Sequence, residues 1–203
     1  SVITGTPVRG ELRDLPERAA AAGKLGLDPA KPTLLVMGGS QGARKLNSIV
    51  AGAALDGVQV LHIAGPGDEE RVRAELGERE GYRVLGFCDD MASAYAVADA
   101  VVARSGASSL TELAFLGLPS LLVPFPYAAD DHQTRNAEVF SEAGAAFLEQ
   151  EADLDSRKLA AKVSEMLEPG RRAEMAAAAR KLAVPDASAK VCDAIESALK
   201  PSS

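Results

Sequence analysis

Three short stretches combine residue types and spacings suited to holding a phosphorylated ligand. The first is Gly38-Gly39-Ser40-Gln41-Gly42-Ala43. Glycines let a backbone approach a ligand closely, and the unpaired N–H groups of a following helix carry a partial positive charge that suits phosphate. The second is Arg104-Ser105-Gly106-Ala107-Ser108-Ser109-Leu110-Thr111-Glu112. Two such helix mouths on one sheet suit a diphosphate bearing a sugar and a nucleoside. Glu112 has two readings here. Ser109-x-x-Glu112 is a capping-box pattern, in which the carboxylate satisfies a backbone N–H. A carboxylate just inside a site also accepts two hydrogen bonds from a ribose diol, and spacing alone leaves both open.

The third stretch is Pro124-Phe125-Pro126-Tyr127-Ala128-Ala129-Asp130-Asp131-His132-Gln133-Thr134-Arg135-Asn136. Its prolines stiffen a loop, and Asp130 or Asp131 is placed to cap the next helix. His132, Gln133 and Asn136 then fall in the first turns, with Gln133 and Asn136 at i and i+3 on one face. Amides offer both donors and an acceptor to sugar hydroxyls. A solvated polar helix start is the plainer alternative.

Other phosphate-binding patterns fit less well. No Lys-Ser/Thr follows Gly42, so the first stretch is not a Walker loop, and it lacks the G-x-G-x-x-G spacing. The next strand ends in His62-Ile63-Ala64-Gly65, without the acidic residue of a dehydrogenase. His62 itself, inside an apparent strand, reads as a packed residue and not a catalyst.

The elements that must position these loops alternate. Strand-like runs at Thr33–Met37, Val58–Ala64, Tyr82–Leu85, Ala100–Ala103, Ser120–Val123 and Ala145–Leu148 are separated by helical stretches. The helices are expected at Ala43–Leu55, Asp68–Gly77, Met91–Ala98, Ser109–Leu116 and His132–Ala143. Continuous apolar strands point to a sheet covered on both faces. Right-handed crossovers then give an α/β fold with a doubly wound parallel sheet, whose ligands bind beyond the carboxyl ends of the strands. From about residue 151 the pattern is helical only, an expected tail interrupted by Pro185 before Ala187–Leu199. That break frees the last helix to pack on something other than the sheet. Residues 1–203 are read as one domain, with a βα core to about residue 150.

Composition narrows the partners. At 203 residues with 47% apolar composition the chain can bury a full core. A net charge of −7 argues against nucleic acid, which needs a Lys/Arg surface, and against docking on anionic lipid. Cys88 and Cys192 are too few for a disulfide framework, so a reducing cytoplasm is the simpler reading. No apolar run approaches the roughly 20 residues that span a bilayer, and no signal peptide opens the chain. No direct membrane insertion is expected.

Seven segments in order, Gly5-Thr6-Pro7-Val8-Arg9, Gly38-Gly39-Ser40-Gln41-Gly42-Ala43, Asp89-Asp90-Met91, Arg104-Ser105-Gly106-Ala107, Gly117-Leu118-Pro119, Val123-Pro124-Phe125 and Gln133-Thr134-Arg135-Asn136-Ala137, resemble the MurG family. These bacterial enzymes transfer N-acetylglucosamine from UDP-N-acetylglucosamine to an undecaprenyl-pyrophosphoryl-N-acetylmuramyl-pentapeptide during peptidoglycan synthesis. The resemblance covers essentially the whole chain. It implies the C-terminal, donor-binding domain of a two-domain B-type glycosyltransferase, inverting and without a metal or other cofactor. The acceptor site, the catalytic base and the membrane-contacting surface would lie in an N-terminal domain outside this chain. The whole protein would be peripheral on the inner face of the cell membrane.

Residue by residue, Arg9 and Ser40 would contact the donor, Ser40 at the diphosphate. Cys88 would read uracil through its backbone, with Met91 beside it. Ala107, Ser108 and Ser109 would place N–H groups on the phosphates, Glu112 would hold the ribose, and Gln133 with Asn136, adjoined by His132, would read the sugar hydroxyls. Three positions depart from the pattern: Thr6 stands where Asn is frequent, Ser108-Ser109 replaces Leu-Thr, and Phe125–Asp131 lacks a basic residue. Asp153-Leu154-Asp155 looks like the acidic pair of metal-dependent glycosyltransferases but precedes a late helix and reads as a cap. Two other functions are compatible with the residues: a non-catalytic UDP-sugar-binding subunit serving a membrane-bound partner, and a related enzyme with a different nucleotide sugar or lipid acceptor.

Overall fold

Each apolar run becomes a strand because helices cover both of its sides. The computed structural model describes residues 5–38, 43–126, 131–184 and 186–199. In it β1 (Thr33–Met37), β2 (Gln59–Ile63), β3 (Tyr82–Leu85), β4 (Ala100–Ala103), β5 (Ser120–Leu122) and β6 (Ala146–Leu148) form one parallel sheet. Its order is β3-β2-β1-β4-β5-β6, the doubly wound arrangement expected from the sequence. The helices are α1 (Arg18–Leu25), α2 (Arg44–Ala51), α3 (Glu69–Leu76), α4 (Met91–Val97) and α5 (Ala107–Leu116). α6 (His132–Glu142), α7 (Ser156–Leu167), α8 (Pro169–Leu182) and α9 (Ala187–Leu199) complete the set.

Strand alternation divides the core. Leu34, Val36, Val60, Val102 and Leu121 face one layer with Leu46 and Val50 of α2 and Leu159, Val163 and Met166 of α7. Leu35, Leu61, Val101 and Leu122 face the other, with Ala94 and Tyr95 of α4, Leu110 and Leu113 of α5 and Phe140 of α6. The helices after β1 and β4 therefore leave in opposite directions, and a crevice opens between the carboxyl ends of these neighbouring strands.

Several boundaries differ from the sequence reading. The second helix stops at Ala51, four residues early, where Gly52 takes over as its cap. α5 begins at Ala107 and not at Ser109. α1 has no counterpart in the pattern because its buried face is only Ala21 and Ala22, too small a stripe to register as amphipathic. It is fixed by Arg18, which donates to Pro29 O and Lys31 O and pairs with Asp99 at 2.8 Å. Arg172 of α8 reaches the other Asp99 oxygen at 2.7 Å. Asp155 caps α7, accepting from Lys158 N at 2.7 Å, which is the role the sequence assigns to that acidic pair.

Gly117 ends α5 in the left-handed conformation, φ +69°, and a Cβ there would stand 2.5 Å from Nε of Arg180 on α8. The left-handed backbone therefore requires glycine, and a Cβ would also push the Arg180 side chain aside. Gly117→Ala is expected to lower unfolding stability by about 1–2 kcal/mol. Urea titration checks this, and an unchanged midpoint counts against it.

Candidate functional site

The crevice is a cavity of about 500 Å³, within the ~300–1,000 Å³ common for small-molecule sites. Met37 and Gly38 line it after β1, Ile63, Gly65 and Pro66 after β2, and Gly86, Phe87 and Cys88 after β3. Met91 and Tyr95 of α4, Ser109 and Glu112 of α5, and Arg9 close the remaining sides. Residues far apart in sequence thus converge where the strand order reverses.

Glu112 is the charged centre of this cavity, only 8% exposed. Arg9 grips it with a two-pronged contact, Nε to Oε1 at 2.8 Å and Nη2 to Oε2 at 3.0 Å. The Tyr95 hydroxyl donates to Oε2 at 2.7 Å. Burial, then the adjacent carboxylate, push the Tyr95 phenol well above its ordinary range. The hydrogen bond to Glu112 raises the Arg9 guanidinium in turn. The capping-box reading of Glu112 fails: Gly106 is the N-cap, so Glu112 is the sixth helical residue and not the third. No side chain caps α5, which leaves its first-turn N–H groups, those of Ala107, Ser108 and Ser109, without intrahelical partners.

Cys88 lies between β3 and α4 with its thiol buried against Asp90 O at 3.4 Å, and burial raises its pKa. Asp90 caps α4, accepting from Ser93 N at 3.0 Å, and pairs with Lys24 of α1. Met91 is the first residue of α4. Phe87, which the sequence reading passed over, lines the cavity while 69% exposed. An aromatic so exposed at a cavity rim offers apolar surface to any planar ring that enters. Its signal in the sequence is its place directly after a strand, in Gly86-Phe87.

Gln133 and Asn136 lie outside this cavity. Gln133 Oε1 accepts from Phe125 N at 3.0 Å, and Asn136 Nδ2 donates to Ser105 O at 3.2 Å. Ser105 Oγ donates to Gln133 O at 2.7 Å. These bonds bolt the first turn of α6 to the ends of β4 and β5. Arg104 reinforces the joint, donating to Val123 O and Pro124 O and forming a buried pair with Glu151. Asn136 lines a smaller groove of about 220 Å³ with Thr6, Ala107 and Phe140. His132 opens α6 as an exposed residue. Asp131 stands at the N-cap but its side chain does not cap; its backbone is left-handed, φ 51°. Ser40 with the rest of Gly39–Gly42, and Asp130 with Tyr127–Ala129, lie outside the described residues.

The two ends of the glycine-rich loop are in contact, since a Cβ on Gly38 would lie 2.5 Å from that of Ala43. Beneath them runs a buried polar chain. Asn47 Nδ2 donates to Ala64 O at 2.9 Å and Asp68 Oδ2 at 2.6 Å, which leaves Oδ1 to accept from Nε2–H of His62 at 2.9 Å. Nδ1 of His62 then accepts the Tyr82 hydroxyl at 2.8 Å. The histidine is neutral in this arrangement, and burial lowers its pKa to about 4. His62 is thus the packed residue its strand position implies.

Comparison with known proteins places this arrangement. The model of the "Glycosyltransferase family 28 C-terminal domain" matches residues 33–191. A protein of Gloeobacter violaceus named "UDP-N-acetylglucosamine--N-acetylmuramyl-(pentapeptide) pyrophosphoryl-undecaprenol N-acetylglucosamine transferase" is 38% identical over 97% of this chain and 56% of its own length. A protein of the same name from Halorhodospira halophila is 49% identical over 81% of this chain and 48% of its own. The crystal structure of Acinetobacter baumannii MurG superposes with a TM-score of 0.75 at 33% identity, covering 82% of this chain and 52% of that one. The chain spans about half the length of the curated relatives it matches. On the family match and the parallel sheet with its switch-point cavity, the chain belongs to the glycosyltransferase family 28 C-terminal domain family.

Proposed function

We propose that this chain is the donor-binding half of a MurG-type transferase that moves N-acetylglucosamine from UDP-N-acetylglucosamine to a lipid-linked N-acetylmuramyl-pentapeptide. The observation that carries this is Glu112, a buried carboxylate facing a cavity at the strand switch point, three residues from Ser109 on the uncapped first turn of α5. Glu112 receives the ribose diol. Uracil lies along Gly86–Cys88, read by the Cys88 backbone beside Met91 and covered by the face of Phe87. The diphosphate sits against the Ala107–Ser109 N–H groups and the loop containing Ser40, with Arg9 adding positive charge. The free amide groups of Gln133 and Asn136, beside His132, take the sugar hydroxyls.

The acceptor oxygen attacks the anomeric carbon from the opposite side and displaces UDP with inversion. Negative charge develops on the leaving diphosphate, where helix N-termini and Arg9 are aimed in advance, so these groups stabilise the transition state without a metal. The base and the acceptor site belong to the other half. Among the described residues no helix is long and apolar enough to cross a membrane; membrane contact at the cytoplasmic face is likewise assigned to the other half.

Calorimetric titration tests this reading. UDP and UDP-N-acetylglucosamine are expected to bind this chain more tightly than ATP or NAD, and transfer is expected only when the N-terminal half is present. Tighter binding of NAD or ATP defeats the proposal. Gln133→Ala is expected to leave UDP affinity within about twofold while lowering that for UDP-N-acetylglucosamine roughly tenfold, as for a lost polar contact. Equal losses for both ligands would contradict its place at the sugar.

A further inference from the structure

The contacts of Glu112 conflict with the role just given to it. An ionised carboxylate offers about four lone-pair sites in its plane. A vicinal diol donating one bond to each oxygen uses the same outer edge that a guanidinium fork uses. Arg9 occupies that edge, with one donor on Oε1 and one on Oε2. Tyr95 reaches Oε2 separately. Diol and guanidinium cannot share the edge.

The two partners of Glu112 are held very differently. Tyr95 is 2% exposed and packed in the core by α4. Arg9 has a side chain 45% exposed, sits in the irregular segment before the first helical turn, and has a second carboxylate, Glu11, at 3.4 Å from its Nη1. One partner is fixed and the other can swing. We infer that the Arg9–Glu112 pair is a latch on the nucleoside site: the ribose diol displaces the guanidinium, which moves to the diphosphate, while Tyr95 keeps Glu112 in place. This rests on the proposed reading of the cavity as a uridine diphosphate site.

The latch makes Arg9 a specificity determinant. A nucleoside without phosphate must break the ion pair and offers the guanidinium nothing in return. A nucleoside diphosphate breaks the same pair and supplies a new anion. The closed latch therefore selects against free uridine in favour of UDP.

The test is a titration of the folded chain with uridine, 2′,3′-dideoxyuridine and UDP, followed by NMR so that millimolar affinities are read. Arg9→Ala is expected to bind uridine roughly fivefold tighter and UDP roughly tenfold weaker, the scale of one partly buried charged contact. Dideoxyuridine, which has no diol, is expected to show no gain. Arg9→Lys keeps the charge without the fork, so it should retain most UDP affinity while gaining on uridine, and it stands in should the alanine variant fold poorly. Tyr95→Phe should weaken uridine and UDP by similar factors. The latch is overturned when Arg9→Ala or Arg9→Lys loses uridine and UDP together, or when dideoxyuridine gains as much as uridine. Wild-type chain that binds neither uridine nor UDP overturns the reading of the cavity itself and the latch with it.

Discussion

Glu112→Ala is expected to lower UDP affinity by roughly 30- to 100-fold, the equivalent of about 2–3 kcal/mol. The ribose loses two charge-assisted hydrogen bonds, each worth about 1.5–3 kcal/mol. Two effects reduce the loss. A buried carboxylate no longer has to be kept from water, and Arg9, freed from its pair, is available to the diphosphate throughout. A third effect acts on the fold: the buried Tyr95 hydroxyl loses its acceptor, a cost of about 1–3 kcal/mol in unfolding stability. Glu112→Gln keeps the shape and one acceptor oxygen, so its affinity loss should be smaller. The diagnostic is the ratio of UDP to 2′,3′-dideoxy-UDP affinity, which the wild type should hold well above one and Glu112→Ala should bring close to one. A ratio that survives the substitution places the ribose elsewhere.

The second large effect is on stability against pH. His62 has a folded pKa of about 4, against 6.5 when exposed. Between those values the unfolded chain binds a proton that the folded chain refuses, so unfolding is favoured as pH falls. At about 1.4 kcal/mol per pH unit the loss is about 3 kcal/mol from pH 7 to pH 4, levelling off below. Asp68 acts in a different window. Held to about 2, first by its hydrogen bond from Arg71, it contributes stability that is lost only as pH falls from about 4 towards 2. Urea unfolding at pH 7 and pH 4.5 therefore isolates the histidine. His62→Phe leaves Asn47 Oδ1 and the Tyr82 hydroxyl without their partner, so it should be less stable at pH 7 and should show a flatter slope between pH 6.5 and 4.5. Equal slopes in variant and wild type would assign the loss to other groups.

How much of this was readable beforehand follows from range. β1, β2 and β4 were legible because each is buried on both faces, a pattern carried by four to five adjacent residues; β3, with exposed Arg83, and the three-residue β5 and β6 gave weaker signals. That a helix opens shortly after Arg104-Ser105-Gly106 was legible for the same reason, being local, although its first residue was not. The pairing of Arg9 with Glu112 was not, since the two are 103 residues apart and no spacing rule links them. Tyr95 carries no signal of its own in the sequence; its hydroxyl gains meaning only when α4 is laid against α5. The capping-box alternative for Glu112 stays open in the sequence because placing the N-cap at Ser109, three residues after the actual cap Gly106, moves the carboxylate from the sixth helical position to the third, where it could cap. Gln133 and Asn136 were correctly set on one helix face, yet the bonds they make to Phe125 and Ser105 depend on two strand ends the spacing does not reveal.

The helices beyond residue 150 are woven into both layers. α7 supplies Leu159, Val163 and Met166 to one, and α8 gives Met175 to that layer and Ala179 to the opposite one. For anyone grafting this half onto a different acceptor-binding half, the crossover point is set accordingly. A chimera joined after Glu149 would strip apolar cover from both sides of the sheet and is expected to aggregate, whereas a junction beyond Leu182 transplants the switch-point cavity with its scaffold whole.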